Sequence, residues 1–197
     1  MARPKNQDQR RHEILSAAKA VIHTRGVTGV SLKRIAEQAG ISSALILYYY
    51  TDVDDILAAA YKTATEEFLE KREFLLAEPI APAEQLRRCL ALGTPYPGGR
   101  EEAARVLYEL QPLILNNAEA AKWSREFFGR QTALFRAIVD GGIANGDFHP
   151  ALDSHTIAVN LVALEDGLAT HALTGLMEPE AIEASLVQVS LQLVGVR

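Results

Sequence analysis

The chain has 197 residues, 48% of them hydrophobic and 23% charged, with one cysteine and a formal net charge of −5. That is enough for a sizeable core and far from the disordered range. It excludes an internal disulfide and argues at first sight against a nucleic-acid partner. No apolar run approaches the ~18–20 residues of a membrane span, and no apolar stretch follows the basic N-terminus as a secretory signal requires. A cytoplasmic protein without a membrane partner is expected.

The total charge conceals a division. Residues 1–50 carry eight Lys/Arg against three Asp/Glu, a net +5, whereas residues 51–197 hold twelve against twenty-two, a net −10. Such asymmetry suggests a basic module, residues 1–52, joined to an acidic one, residues 53–197.

Helical periodicity dominates and an all-α fold of about nine helices is expected. The first helix reads from about Asp8 to Arg25, with Ile14, Leu15, Ala18, Val21 and Ile22 inward, and Gly26 stops it. Ser31 caps a short second helix that Gly40 ends. A third begins at Ser42 or Ser43 and ends near Tyr50. Its Ala44–Tyr50 stretch has strand-like composition, but a lone strand has no partner here, so helix is expected. A long helix follows from Asp52 or Asp54 to about Ala77, and Pro79 and Pro82 break the chain after it. The pattern resumes over Ala83–Leu92, then from Arg100 with a kink at Pro112 and a pause at Asn116–Asn117, then over Glu119–Ala144. The last two helices run from Asp153 or Ser154 to Thr174, and from Pro179 to Leu193.

Residues 32–51 have helix-turn-helix spacing. Ala36 is small enough for two helices to approach, Gly40 supplies the turn, and Ile35, Ala39, Ile41, Ile46 and Tyr49 form the inner seam. Such a pair, in a segment of net +5, places its second helix in a DNA major groove. A plain helical hairpin inside a bundle is the alternative.

The stretch Val30-Ser-Leu-Lys-Arg-Ile-Ala-Glu-Gln-Ala-Gly-Ile-Ser-Ser-Ala-Leu-Ile-Leu-Tyr-Tyr-Tyr50, followed by Asp54-Asp-Ile-Leu57, resembles the N-terminal domain of TetR-type bacterial repressors. Arg11 through Gly26 matches as well. Asn145-Gly-Asp-Phe-His-Pro150 and Leu164-Glu-Asp-Gly-Leu168 resemble the BetI-like type of C-terminal domain. The resemblance implies that Ser31 caps its helix and meets a phosphate. It implies that Lys33 and Arg34 reach backbone or bases, that Ser43 and Ala44 face the major groove, and that Tyr48 lies against the backbone. Ser42 and Tyr49, at the ends of the same helix, complete the DNA-binding candidates. Leu47 stands where the family often has a phosphate-contacting tyrosine, and Val53 where a lysine usually opens the fourth helix. No Arg, Lys, Asn or Gln lies between Ser42 and Tyr50. Bidentate base reading then falls to Lys33 or to an N-terminal arm with Arg3, Lys5, Arg10 and Arg11. Hydroxyls and apolar contacts to thymine methyls carry the rest.

In the acidic half, Ile157, Leu161, Leu164 and Leu168 form one apolar stripe, and Ile182, Leu186, Val189 and Leu193 another. Two such helices per subunit would make a four-helix dimer interface, as the resemblance also implies, although both stripes also serve the subunit's own core. Glu165 lies on an otherwise apolar face. With Tyr108, Glu109, Asn116, Trp123, Phe127 and His171, and with Phe128 beside them, it makes a candidate ligand pocket by pattern and by resemblance. A carboxylate among aromatics holds a cation, so the effector expected is cationic or aromatic. Each of these residues also has a reading as satisfied core.

Catalytic motifs are missing. There is no Cys pair or HExxH for a metal, and no GxSxG; Gly93–Gly98 has P-loop glycine spacing, but Gly99 stands where lysine is required. No catalytic residue, cofactor or metal is expected. The expectation is a ligand-responsive transcriptional regulator, a repressor that binds a palindromic operator as a homodimer and is released by a small molecule. The alternatives are a small-molecule-binding helical module with a vestigial DNA head, and a helical enzyme.

Overall fold

In the computed structural model, which describes residues 4–196, the regular elements are helical, with no strand among the described residues. They are α1 (Pro4–Arg25), a 3-10 turn at Val27–Gly29, α2 (Leu32–Ala39), α3 (Ser43–Tyr49), α4 (Val53–Leu76) and α5 (Pro82–Gly93). Then come α6 (Gly99–Glu109), α7 (Gln111–Asn116), α8 (Ala118–Ala144), α9 (Ser154–Leu173) and α10 (Pro179–Leu193).

Local chemistry sets most of these boundaries. Ser31, Ser42 and Asp153 stand at N-cap positions, where a side-chain oxygen takes up an otherwise orphaned amide. They accept from the amides of Arg34 at 3.3 Å, Leu45 at 3.2 Å and Thr156 at 3.0 Å. Gly40 ends α2 with φ 66°, a left-handed conformation that costs a side chain with Cβ dearly, and the Ile41 amide donates back to Ala36 at 3.0 Å. That bond closes the sharp turn into α3.

One expectation shifts. The segment from Arg100 is two helices rather than one kinked helix. Pro112 falls in the first turn of α7, where its missing amide and its ring prevent continuation from α6. The pause at Asn117 is itself a cap, its Oδ1 accepting from the Ala120 amide at 3.0 Å. The strand-like Ala44–Tyr50 stretch is helical, because Ile46 and Tyr50 are buried against α1 and α2 residues rather than paired with another strand.

The chain divides into two compact units, one of residues 1–65 and 105–123, the other of 66–104 and 124–197. The boundaries fall inside α4, α6 and α8. In the first unit Ile14, Ala18, Ile35, Ala36, Ile46 and Ile56 form the core that holds α1, α2, α3 and the start of α4. In the second, Leu86, Cys89, Leu90, Phe135, Ile138, Ile157 and Leu161 form a larger one.

Much of the two leucine-rich stripes is spent inside that second unit. Ile157, Leu161, Ile182 and Leu186 are at most 1% exposed, and Leu164, Leu168 and Leu193 are half-buried. Only Val189 of the expected interface residues is exposed. The residues that α9 and α10 expose include small ones, Ala163, Gly167, Ala181 and Ala184, beside polar ones such as Asn160, Gln188 and Gln192.

Cys89 is fully buried, and burial pushes its thiol up to about 12, with Glu165 adding and Arg72 opposing. An unfolded thiol ionises near pH ~8.5. The folded pKa is the higher one, so the stability gained by keeping the thiol neutral is complete below that pH and is lost as pH rises towards 12. Iodoacetamide at pH 8 is therefore expected to leave the native protein unmodified and to alkylate it in urea. Cys89→Ala should show a shallower decline in thermal midpoint between pH 9 and 11 than the unaltered chain.

Candidate functional site

The helix-turn-helix is built by α2, the Gly40 turn and α3. Ser31 sits at the start of α2 and is occupied there as a cap. Lys33 is exposed, with a loose pair to Glu37 at 3.9 Å. Arg34 is exposed too, but its Nη1 donates to the Gly29 carbonyl at 2.5 Å, so the guanidinium braces the 3-10 turn. Ser42 caps α3, Ser43 is half-buried and Ala44 is exposed.

Beyond Ala44, the outer face of α3 continues with Leu47, 49% exposed, and Tyr48, 72% exposed. These three are spaced i, i+3, i+4 and share one side of the helix. Tyr49 is half-buried and packs edge-on to Tyr48 with ring centroids 5.1 Å apart. The Arg11 guanidinium lies 5.9 Å from the Tyr49 ring and 5.2 Å from the Tyr50 ring. Burial raises the Tyr50 phenol above its ordinary pKa, and Arg11 opposes that shift.

Lys5, Arg10 and Arg11 of the expected basic arm are thus part of a folded helix. Arg11 ties α1 to the end of α3, and Arg10 pairs with Glu13 at 2.6 Å. Arg3 and the side chain of Lys5 lie outside the described residues. Val53, where a lysine was missed, is half-buried and followed by Asp54 and Asp55 in the first turn of α4.

The ligand candidates are distributed between the two units. Tyr108, Glu109 and Trp123 belong to the first, and Phe127, Glu165 and His171 to the second. The side chain of Asn116 lies outside the described residues. Glu109 has a structural task, since its Oε2 accepts from the Val27 amide at 3.1 Å, where α1 gives way to the 3-10 turn. Trp123 is faced by Lys62 Nζ at 5.7 Å. Phe127 packs edge-on to Phe68 at 5.7 Å, while Phe128 stays exposed. His171 is half-buried, and its Nδ1 has no hydrogen-bond partner among the described residues.

Glu165 is buried, as its apolar surroundings suggested, but its charge is already answered. Arg72 Nη2 donates to its Oε1 at 2.5 Å, while Arg72 Nη1 donates to Gln131 Oε1 at 3.2 Å. The guanidinium also lies 4.1 Å from the Phe68 ring centroid. Arg72 thus fills the box of carboxylate and aromatic that a ligand cation would enter. Burial nevertheless raises the Glu165 carboxyl above the ordinary range, outweighing the pull of Arg72. Gly93 packs against both groups, and a Cβ there would coincide with Glu165 Oε1 and Arg72 Nη2. Arg72 escaped the sequence reading although its position carries a signal: it stands three residues after Leu69 and three before Leu75, in the apolar register of α4.

An open groove of about 440 Å³ runs along α8 to His155, lined by Phe128, Thr132, Arg136 and Asp140 among others. Phe128 borders it, but Tyr108, Glu109, Trp123, Phe127, Glu165 and His171 do not. The described residues contain no His/Cys/Asp/Glu group able to hold a metal, and no helix among them is long and apolar enough to cross a membrane.

Comparison with known proteins gives a consistent pattern. Residues 14–60 match the model of bacterial regulatory proteins of the tetR family, and residues 82–190 that of the BetI-type transcriptional repressor C-terminal domain. HTH-type transcriptional regulator PksA of Bacillus subtilis is 28% identical over 172 residues, 85% of this chain and 80% of its own length. The fatty acid metabolism regulator protein of the same organism is 26% identical over 141 residues, 72% of each chain. A transcriptional regulator from Saccharomonospora viridis, solved in complex with choline, superposes with a TM-score of 0.88 at 24% identity, covering 96% of this chain and 99% of its own. FadR from Bacillus subtilis, solved with stearoyl-CoA, gives 0.76 at 23% identity, covering 94% and 99%. At these identities the two structures speak for the fold.

Removing one member of a buried ion pair leaves an uncompensated charge and costs roughly 3–5 kcal/mol, whereas replacing both with apolar groups is often close to neutral. Arg72→Met is therefore expected to lower the urea midpoint strongly. The double variant Arg72→Met/Glu165→Leu should recover most of that loss.

Proposed function

The chain belongs to the TetR family of bacterial transcriptional regulators, with a BetI-type C-terminal half, and from that premise we propose that it is a homodimeric repressor. On this reading it binds a palindromic operator, and a small-molecule effector releases it. The capped α2–Gly40–α3 hairpin carries the proposal. Ser31 and Ser42 fix the entry of each helix, and the outer side of α3 is left uncovered by its own unit. A helix so presented is shaped for a major groove, with a second copy reading the other half-site roughly 34–36 Å away.

Lys33 is the cation best placed to meet a phosphate. Its side chain is 85% exposed, and an exposed i,i+4 pair such as that with Glu37 is worth only about 0.3–0.5 kcal/mol. Arg34 serves first as a brace for the turn before α2. Glu109, on α6, holds the amide of Val27 and so supports the same turn at its first residue.

The second copy docks, on this proposal, through the small outward residues of α9 and α10, Ala163, Gly167, Ala181 and Ala184, which permit close helix approach. The effector is a small molecule in the second unit. The relatives solved with choline and with stearoyl-CoA show that proteins of this fold take very different ligands. The Arg72–Glu165 pair means that a cation using Glu165 has to displace the chain's own guanidinium.

Capture of sheared genomic DNA by the purified protein, followed by sequencing, tests the operator. Enrichment of one inverted repeat is expected, and no enrichment even at 50 mM salt overturns the proposal. On the captured site, Lys33→Ala should weaken binding and lower the slope of log K against log salt by about 0.9, the contribution of one phosphate contact. For the dimer, sedimentation should show twice the chain mass for the unaltered protein. Ala184→Arg should give a monomer with unchanged circular dichroism; a monomer in both cases overturns the docking of a second copy.

A further inference from the structure

The chemistry on the reading side of α3 is unusual in what it offers to a base. Between Ser42 and Tyr50 no side chain carries an amide or a cation. The Ser42 hydroxyl caps the helix. Two neighbouring cations are engaged within the head, Arg34 on the Gly29 carbonyl and Arg11 over Tyr49 and Tyr50. The bidentate donor pairs that read guanine, and the amides that read adenine, are therefore absent from α3 itself.

What α3 does present is an apolar surface on one helical side, Ala44, Leu47 and Tyr48. Leu47 and Tyr48 are among the most exposed large apolar side chains in their unit, at 49% and 72%. Such a surface gains by contact with something apolar. In the major groove, the apolar feature that distinguishes one base pair from another is the 5-methyl group of thymine. We propose that Ala44, Leu47 and Tyr48 determine operator specificity by packing on thymine methyl groups, so that each half-site carries thymines under α3. Leu47 is then a base-reading residue rather than a missing phosphate contact. The Tyr48 ring adds apolar area, and its hydroxyl adds a single hydrogen bond to base or backbone.

This inference rests on the DNA-binding reading above, and the test separates the two. The captured inverted repeat is synthesised twice, once with thymidine and once with deoxyuridine at the half-site positions. The exchange removes only the methyl groups and leaves base pairing and phosphates intact. Loss of one buried methyl corresponds to roughly a fourfold change in binding. The uracil duplex is expected to bind several-fold more weakly per contacted position, with an unchanged salt slope. Leu47→Ala, at a half-exposed site that leaves the fold intact by circular dichroism, should bind the thymine duplex more weakly and lose much of the discrimination between the two duplexes. Equal binding of both duplexes by the unaltered protein overturns the methyl reading alone. Failure to capture any genomic fragment overturns the DNA-binding reading and this inference with it.

Discussion

A guanidinium and a carboxylate taken out of water each carry a desolvation cost of several kcal/mol, and the core of the second unit contains both. It tolerates them because Arg72 from α4 meets Glu165 from α9 directly, with Gln131 Oε1 from α8 accepting a further hydrogen bond from the guanidinium and Phe68 covering its face. Gly93, at the end of α5, comes so close that any side chain there would collide with both charges. Four helices of that unit are thereby held to one arrangement. The geometry also limits what a ligand can do. A cation drawn to Glu165 competes with a partner already hydrogen-bonded and stacked in place, and an effector acting there works by exchange.

The first unit uses charge differently. Its segment of net +5 looks like a surplus ready for phosphate, but much of it is assigned to the fold. Arg10 pairs with Glu13, Arg11 lies over two tyrosines, and Arg34 holds a backbone carbonyl. Net charge describes the long-range field that draws DNA towards the head. It does not count the contacts made on arrival, and three of those cations already have partners within the head.

Features governed by near neighbours were legible in the sequence. Ser31 as a cap, helix starts at Ser42 or Ser43 and at Asp153 or Ser154, Gly40 as a stop and the inner seam from Ile35 to Ile46 each depend on residues within a few positions. The helix-turn-helix and its resemblance to a known family followed from them. What escaped depends on partners far along the chain. Glu109 lies 82 residues from Val27, and Glu165 lies 93 from Arg72. Periodicity marks Glu165 as buried but cannot name the arginine that neutralises it. The same limit explains the apolar stripes of α9 and α10. A period of 3.6 says that Leu161 and Leu186 are buried, and is silent on whether the cover is the same chain or another.

The start of α4 shows how fold and function compete over a few residues. Asp54 and Asp55 in its first turn suit the positive end of the helix dipole, and the Asp55 carboxylate also accepts the Thr51 amide at 3.0 Å. Those same charges are repelled by a DNA phosphate, and Val53 offers no cation to offset them. On the proposed reading, a head built this way releases few counterions on binding, and its affinity is expected to fall less steeply with salt than that of a lysine-rich head. The apolar face of α3 supplies what the backbone contacts do not. Burial of Leu47 and Tyr48 against thymine methyls is not screened by ions, so it persists at salt concentrations that erase non-specific binding. Discrimination between operator and random DNA then widens as ionic strength rises.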